Sequence, residues 1–237
     1  MSPARPDLHC EHCQSRNKGL FCTLAAPAVR DLDRHKVANH YRRRQVLFYE
    51  GQNPSGLYCV SSGKVKLYKT GADGRSLIVR MASAGELVGY RALFSGEPYH
   101  ATAEMIEEGD VCFVDKQSIF DLVARDPGLA LRALKLLSHE LGEAEEKLKK
   151  MSQKSVKERL AELLLLFRQG CGKPTDNGVL LDQKLTREEI AQLLGSAPET
   201  IIRMLHDFQE KRWLRLDGKS IVLTDMKALT EFARLEA

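Results

Sequence analysis

The apolar residues of this chain follow two different periods, and each period predicts a different kind of element. Within residues 46–114, apolar runs of a few residues alternate with turn signals such as those at residues 62–63 and 71–74. Many short strands separated by turns at this spacing predict a β-sandwich or barrel. From Asp126 onward the apolar positions recur every three or four residues, which predicts helices. We therefore expect an α+β fold with strands in the first half and helices after them.

A long helix is predicted to begin at Asp126-Pro127, because proline fits the first turn of a helix. Its later apolar positions follow the 3-4-3-4-3 spacing of a coiled-coil seam. This seam consists of Leu134, Leu137, Leu141, Ala144, Leu148 and Met151. Charged residues flank the later part of the stripe, which makes it too narrow for ordinary core packing. We interpret the seam as the interface of a parallel homodimer; a helix packed only on its own β-domain is the alternative.

Residues 186–203 predict two short helices joined by a tight turn. Thr186, with Glu189 three residues later, forms a capping box at the first helix, and Gly195 ends that helix. Pro198 suits the first turn of the second helix. Two helices around a three-residue turn form a helix-turn-helix, whose second helix can enter the DNA major groove.

The outward-facing residues of the second helix determine what it could read. Arg203 can donate two hydrogen bonds to guanine O6 and N7, and Glu199 can accept one from cytosine N4. A β-hairpin predicted within residues 214–223 follows directly, which completes a winged helix-turn-helix. The alternative is an ordinary helical hairpin with a solvated glutamate–arginine pair.

The second helix carries the residues Glu199-Thr200-Ile201-Ile202-Arg203, which resemble the E-T-x-x-R recognition helix of the cyclic-AMP receptor protein/FNR superfamily of bacterial transcription regulators. The resemblance implies that Glu199 and Arg203 read the core of a TGA-like half-site, and that Thr200 and Arg187 contact phosphates. Ile202 stands where relatives carry Ser or Gly, and it can pack against a thymine methyl group but cannot hydrogen-bond a base edge. RNA polymerase is an implied partner.

The resemblance extends into the strand-rich half, and it implies a cyclic-nucleotide-binding-type β-roll there. The matching segments are Glu50-Gly51, Leu57-Tyr58, Ser62-Gly63 and Gly85-Glu86-Leu87-Val88-Gly89. Nucleotide binders of the superfamily place an Arg-Ser pair after the Gly-Glu-Leu turn, where the guanidinium binds the cyclic phosphate. Tyr99-His100 occupies that place here, so we expect no cyclic nucleotide and a structural role for Glu86.

Four of the six cysteines are candidate ligands of a metal centre. Cys10, Cys13 and Cys22 lie in a short polar N-terminal segment, and Cys112 lies about ninety residues downstream near the end of the strand-rich half. An iron–sulfur cubane needs four thiolates, which the segment could supply with Cys112 by folding back onto the β-domain. This arrangement resembles the FNR branch of the superfamily, whose members sense oxygen through a [4Fe–4S] cluster held by three N-terminal cysteines and one central cysteine.

Other interpretations of the cysteines remain open. The first two cysteines could bind zinc or act as a thiol–disulfide switch, and a haem or small-ligand sensor would leave the cysteines unused. The neighbouring His9 and His12 are expected to be solvated rather than ligating. Cys59 is expected to be a core residue, and Cys171 is expected to lie in a loop without a role.

Composition narrows the function classes only a little. A net charge of +4 and a pI near 8.7 are compatible with DNA binding but too weak to argue for it. No apolar run is long enough to span a membrane, and we predict a cytoplasmic protein in which disulfides are uncommon. No nucleophile–base–orienter set and no phosphate loop are present, so the chain is not expected to be an enzyme.

The sequence therefore predicts four parts: a cysteine-containing arm over residues 1–30, a β-roll sensor domain over 31–125, a dimerisation helix over 126–152 and a winged helix-turn-helix domain over 153–237. A dimer would present two recognition helices about 34 Å apart, matching a palindromic DNA site. A cluster that tethers the arm to Cys112 would alter packing at the start of the dimerisation helix and favour dimerisation. Oxygen or nitric oxide would dismantle the cluster and release the DNA.

Overall fold

The computed structural model describes residues 8–182, 185–218 and 220–234, which form two compact units. The first unit extends to Gly142, except that residues 72–77 group with the second unit. The second unit continues from Glu143. The predicted arm includes residues 1–7, which lie outside the described residues.

The first unit contains the predicted β-roll, flanked by helices. In chain order its elements are a 3₁₀ turn (Ser15–Lys18), α1 (Ala26–His35), β1 (Lys36–Tyr41), β2 (Val46–Phe48), β3 (Gly56–Val60), β4 (Lys64–Thr70), β5 (Ser76–Ser83), β6 (Leu87–Val88), α2 (Tyr90–Ser95), β7 (Thr102–Glu107), β8 (Gly109–Asp115), α3 (Lys116–Arg125) and the first part of α4 (Pro127–Gln153). The strands form two four-stranded sheets, with orders β1-β8-β3-β6 and β2-β7-β4-β5. This arrangement confirms the α+β class and the β-roll.

The pairing of β3 with β8 brings two distant cysteines face to face. The two strands run antiparallel, and their register places Cys59 directly opposite Cys112. On its other edge β8 pairs with β1, so that Ala38 is the second neighbour of Cys112. Cys112 therefore lies on an interior strand, where the backbone on both sides holds its position.

Apolar side chains attach the N-terminal arm to the first unit. Leu20, Phe21 and Leu24 are buried, and they belong to the same core cluster as Leu32 of α1 and Leu129 of α4. Burying a large apolar side chain stabilises a protein by roughly 1.5–3 kcal/mol. Three such residues allow a short polar segment without a core of its own to dock on the β-roll.

A carboxylate on α1 adds a polar anchor for the same arm. Asp33 accepts hydrogen bonds from the Cys10 N–H at 2.6 Å, from His9 Nδ1 at 3.0 Å and from the ammonium of Lys36. Burial raises the pKa of Asp33, but the hydrogen bonds from Lys36, Cys10 and His9 outweigh it and hold that pKa well below its usual value. The carboxylate is therefore ionised at neutral pH and fixes the position of Cys10.

The long helix α4 confirms the predicted start at Pro127 and ends at Gln153. Its first turns pack on the β-roll, where Leu129 and Ala133 are buried. The later apolar positions are exposed instead, and Leu141 and Leu148 are 61% and 68% accessible. The helix therefore changes from a core helix to an exposed apolar stripe along its length.

The second unit is a helical domain with a small antiparallel sheet. Beyond the end of α4 its elements are α5 (Val156–Cys171), β9 (Gly172–Thr175), β10 (Gly178–Leu181), α6 (Arg187–Leu194), α7 (Pro198–Glu210), β11 (Leu214–Asp217), β12 (Ser220–Leu223) and α8 (Met226–Phe232). The sheet order is β11-β12-β10-β9, so the predicted hairpin is extended by two further strands. Cys171 was expected in a loop, but it is the last residue of α5, where its thiol donates to the Phe167 carbonyl at 3.1 Å.

The helix-turn-helix forms as the sequence predicts. Thr186 Oγ1 accepts from the Glu189 N–H at 3.1 Å, and Glu189 Oε2 accepts from the Thr186 N–H at 2.6 Å, which completes the capping box of α6. Gly195 ends α6 in the left-handed region, with a φ of 61°. The N-cap of α7 is Ala197, which provides no side-chain cap.

Substitutions at the two N-cap positions, Thr186 and Ala197, should have opposite effects on stability. Thr186→Ala should lower the free energy of unfolding of the second unit by about 1 kcal/mol, whereas Ala197→Ser should raise it by a comparable amount, because one removes and the other adds a side-chain acceptor for an orphan N–H. Urea denaturation followed by the fluorescence of Trp213, the one tryptophan of the chain, measures both. Thr186→Ser is the matched control that keeps the cap, and equal stability of Thr186→Ser and Thr186→Ala would contradict the assignment.

If the Asp33 carboxylate anchors the arm, removing it should free the arm from the β-roll. In metal-free protein, Asp33→Ala should speed tryptic cleavage after Arg16 several-fold, because Arg16 is held through its bonds to the Cys10 and Phe21 carbonyls. Asp31→Ala is the matched control, since Asp31 lies on the same helix and pairs with Arg125 rather than with the arm. Equal cleavage rates in the two variants would show that Asp33 does not hold the arm.

Candidate metal centre and DNA-reading helix

Four thiols line one small cavity between the arm and the β-roll. Cys10 and Cys13 come from the arm, Cys59 comes from β3 and Cys112 comes from β8. The cavity has a volume of about 40 Å³, and its lining is almost entirely apolar. Cys10 and Cys112 are buried, with 8% and 7% of their surfaces exposed. The arm therefore brings Cys10 and Cys13, two of its three cysteines, to the cavity that Cys112 also lines.

Two cationic side chains, Arg16 and Lys36, line the cavity together with these thiols. Lys36 lines it, and the ammonium group of Lys36 pairs with Asp33. Burial raises the pKa of Cys10 to about 12 and that of Cys112 to about 11, and in both cases the positive charge of Lys36 opposes this rise. Metal binding would have to release these protons, because thiolates rather than thiols are metal ligands. Lys36 is the charge that favours the thiolate form.

Cys59 is the fourth thiol that lines this cavity. Burial raises its pKa well above the ordinary value, and the thiolates of Cys112, Cys10 and Cys13 raise it further. These interactions show that Cys59 lies within electrostatic reach of the other three. It was expected to be an ordinary core residue, and the structure places it in the candidate metal site.

The four predicted ligands do not all meet in the cavity. Cys10, Cys13 and Cys112 line it, whereas Cys22 is not among the described residues that do so. Within the described ranges, no three His, Cys, Asp or Glu side chains already converge closely enough to hold a metal ion. His12 is exposed, and His9 forms a hydrogen bond with Asp33.

The donor chemistry of the cavity fits a thiolate-bound metal centre. Soft thiolate ligands select zinc, copper(I) and iron–sulfur clusters, and four sulfurs are the number that a cubane requires. The positive charge of Lys36 would partly offset the negative charge of the thiolates. The residues present therefore suit such a group, provided that the sulfurs close in on it.

Tyr99 and His100, which stand where the resemblance expects an Arg-Ser pair, both have partners within the first unit. Tyr99 is buried, its ring stacks on Phe48 at a centroid distance of 3.8 Å, and its hydroxyl donates to the Gly56 carbonyl at 3.1 Å. His100 pairs with Glu97 at 2.9 Å. Neither residue offers a guanidinium to a cyclic phosphate.

In the second unit, α7 presents the predicted DNA-reading residues on one open face. Glu199, Ile202 and Arg203 are exposed, and Thr200 is half-buried at the start of the helix. The opposite face is fully buried through Ile201, Leu205 and Phe208. Because the inner face is fixed in the core, the outer face is held rigidly enough to read base edges.

Two polar features support this presentation. Lys157 of α5 pairs with Asp207 of α7 at 2.8 Å, which ties the recognition helix to the domain core. Arg187 is the first residue of α6 and is half-buried. Among the described residues, no helix is both long and apolar enough to cross a membrane.

Comparison with protein families assigns both units. Residues 38–126 match the cyclic nucleotide-binding domain, and residues 158–232 match the Crp-like helix-turn-helix domain. The two matches cover the β-roll with α3 and nearly all of the second unit after α4.

Similar proteins span the whole chain. A CRP-like cAMP-activated global transcriptional regulator of Mycobacterium tuberculosis is 29% identical over 91% of this chain and 96% of that protein. The fumarate and nitrate reduction regulatory protein of Escherichia coli is 28% identical over 95% of this chain and 90% of its own length. The structure of FixK2 from Bradyrhizobium japonicum has a TM-score of 0.70 and 25% identity, covering 85% of this chain and 99% of that one. With both of its domains matched, the chain belongs to the CRP/FNR superfamily of DNA-binding transcription regulators.

Proposed function

We propose that this regulator is controlled by an oxygen-labile [4Fe–4S] cluster held between its N-terminal arm and its β-roll. The observation that carries the proposal is the apolar cavity lined by thiols from both parts. The 28% identity to the fumarate and nitrate reduction regulator adds support from sequence, together with the resemblance of the cysteine pattern to the FNR branch.

The protein parts have separate tasks in this proposal. Residues 1–30 form the cysteine arm, 31–125 form the sensor domain, 126–152 form the dimerisation helix and 153–237 form the DNA-binding domain. The resemblance nominates Cys10, Cys13, Cys22 and Cys112 as ligands. The first two and the last line the cavity, so they are the ligands that both the sequence and the geometry support.

The arm has a direct physical connection to the dimerisation helix. Arg132, in the second turn of α4, donates from Nε to the carbonyl of Leu20 at 3.2 Å, and its Nη2 pairs with Asp126 at 2.9 Å. The arm side chains Leu20 and Phe21 share a core cluster with Leu129. Oxygen would dismantle the cluster, and the arm would then lose its covalent tether to β8. Its release would remove contacts that fix the first turns of α4.

The exposed stripe of α4 is the surface that a second copy would cover. Its residues are Leu134, Leu137, Leu141, Ala144, Leu148 and Met151. Leu137 is partly buried against the core of its own unit, whereas Leu134, Leu141 and Leu148 are each more than half exposed. A seam this narrow would give a weakly associated dimer. Modest changes in the arm could then shift the monomer–dimer equilibrium.

A dimer of this kind would read a palindrome in the cytoplasm with two copies of α7. Glu199 and Arg203 would contact the core of each TGA-like half-site, Ile202 would pack on a thymine methyl group, and Thr200 and Arg187 would contact phosphates. RNA polymerase is the partner that the family resemblance implies. We propose no cyclic nucleotide as ligand, because Tyr99 and His100 stand at the matching position and neither offers a guanidinium to a cyclic phosphate.

Zinc is the second candidate for the same site. A structural zinc ion takes four thiolates in a closed tetrahedral set, which the cavity could also provide. Zinc would hold the arm permanently, so DNA binding would not respond to oxygen. Iron and acid-labile sulfide in oxygen-free protein support the cluster, whereas one zinc ion per chain and a colourless protein support zinc.

Substitutions on α7 test the reading of DNA. Arg203→Ala and Glu199→Ala should each weaken binding to a TGA-containing palindrome by about 5- to 150-fold, because each base contact contributes about 1–3 kcal/mol of discrimination. Fluorescence anisotropy at fixed salt measures the affinity, with a scrambled duplex as reference. Glu210→Ala at the far end of the same helix is the matched control. Equal affinities of the three variants for the palindrome would refute this orientation of α7.

Removal of the central thiol tests the metal centre. Cys112→Ala, purified without oxygen, should retain less than about a tenth of the wild-type iron and sulfide, because a cubane needs four protein thiolates. Cys171→Ala is the matched control, since its thiol is bonded within α5. Wild-type metal content in Cys112→Ala would rule out a centre at this cavity.

A further inference from the structure

Cys59 has a position in this structure that the sequence alone does not assign to it. It lines the cavity together with Cys10, Cys13 and Cys112, and it faces Cys112 across the β3–β8 pair. The cavity therefore already contains four thiols without Cys22. Each of the four comes from a segment that the sheet or the Asp33 anchor holds in place.

Two contacts hold the arm between Cys13 and Cys22 against the β-roll. Ser15 donates from its hydroxyl to the Ser61 carbonyl at 2.6 Å, one residue beyond the end of β3. Gly19 lies so close to the turn at Gly85 that a Cβ atom on Gly19 would stand 2.2 Å from the Gly85 carbonyl oxygen. Both contacts join residues 15–19 to the loops that follow β3 and β5. Cys22 follows the second contact and lies outside the lining of the cavity.

The register of β3 and β8 also determines whether Cys59 and Cys112 are better placed to bind one metal centre or to form a disulfide with each other. The Ser61 N–H donates to the Asp110 carbonyl at 2.9 Å, and the Lys116 N–H donates to the Ser55 carbonyl at 2.8 Å. Hydrogen-bonded pairs alternate along an antiparallel ladder, which makes Cys59 and Cys112 a hydrogen-bonded pair with Cα atoms about 5.5 Å apart.

This pair geometry suits a bridging metal better than a sulfur–sulfur bond. Opposed Cβ atoms in antiparallel strands lie about 4.5–5.5 Å apart and are closest in the other, non-hydrogen-bonded kind of pair. A disulfide requires Cβ atoms about 3.5–4.5 Å apart. Two thiolates bound to one metal centre stand farther apart than two bonded sulfurs, so the paired strands can present both without moving.

We propose that Cys59 is the fourth thiolate of the metal centre, with Cys10, Cys13 and Cys112, and that Cys22 is not a ligand. The inference rests on the metal-binding part of the proposed function and deepens it. In this arrangement two ligands come from the arm and two come from facing strands of the β-roll. The β-roll half of the site is then fixed before the arm docks.

Single cysteine substitutions in the full-length chain, purified without oxygen, separate the two ligand sets. Iron, acid-labile sulfide and zinc per chain are measured together with the visible absorption spectrum. Cys59→Ala should lose at least about nine-tenths of the bound metal, the same loss that is expected for Cys112→Ala, because four thiolates are required. Cys22→Ala and the control Cys171→Ala should keep the wild-type metal content and spectrum.

Retention of metal in Cys59→Ala, or its loss in Cys22→Ala, would overturn the proposal. Cys59→Ser keeps the size of the side chain, and circular dichroism checks that each variant is folded. A folded Cys59→Ser with an altered absorption spectrum supports ligation, and one with an unchanged spectrum contradicts it. If the proposed iron–sulfur cluster is wrong, the wild-type protein will lack iron and sulfide. The zinc content of the Cys59 variants would then still test whether Cys59 is a metal ligand.

Discussion

The docking of the N-terminal arm onto the β-roll is the interaction on which the proposed sensing site depends. The arm between Cys10 and Cys22 has too few apolar residues to fold alone, and ordering each of its residues costs about 1–2 kcal/mol of backbone entropy. Burial of Leu20 and Phe21 and the hydrogen bonds of Asp33 offset part of this cost. A metal bound by thiolates from both sides would supply the remainder, which couples arm order to metal binding.

The same docking connects the site to the rest of the chain. Arg132 contacts the arm backbone and belongs to the first turns of α4, while the exposed leucines lie farther along the same helix. Under the proposed function, a change in the arm would reach the dimer seam through the first turns of α4, which Arg132 connects to the arm.

Local patterns made most of this fold predictable from sequence. The capping box at Thr186 and Glu189, the proline at 127 and the alternation of short strands each act over a few residues, and the structure contains all of them. The position of Cys59 was not predictable, because the pairing of β3 with β8 joins residues about fifty positions apart. The β9–β10 hairpin was missed because Gly172–Thr175 is polar and has no strand-like alternation.

The central claim is that loss of the metal centre releases DNA. The direct measurement titrates oxygen into a single oxygen-free sample of wild-type protein bound to a labelled palindrome, while visible absorption and fluorescence anisotropy are recorded together. Absorption of the cluster and DNA binding should fall in parallel as oxygen is added. Bleaching of the absorption with unchanged anisotropy would show that the centre does not control this regulator.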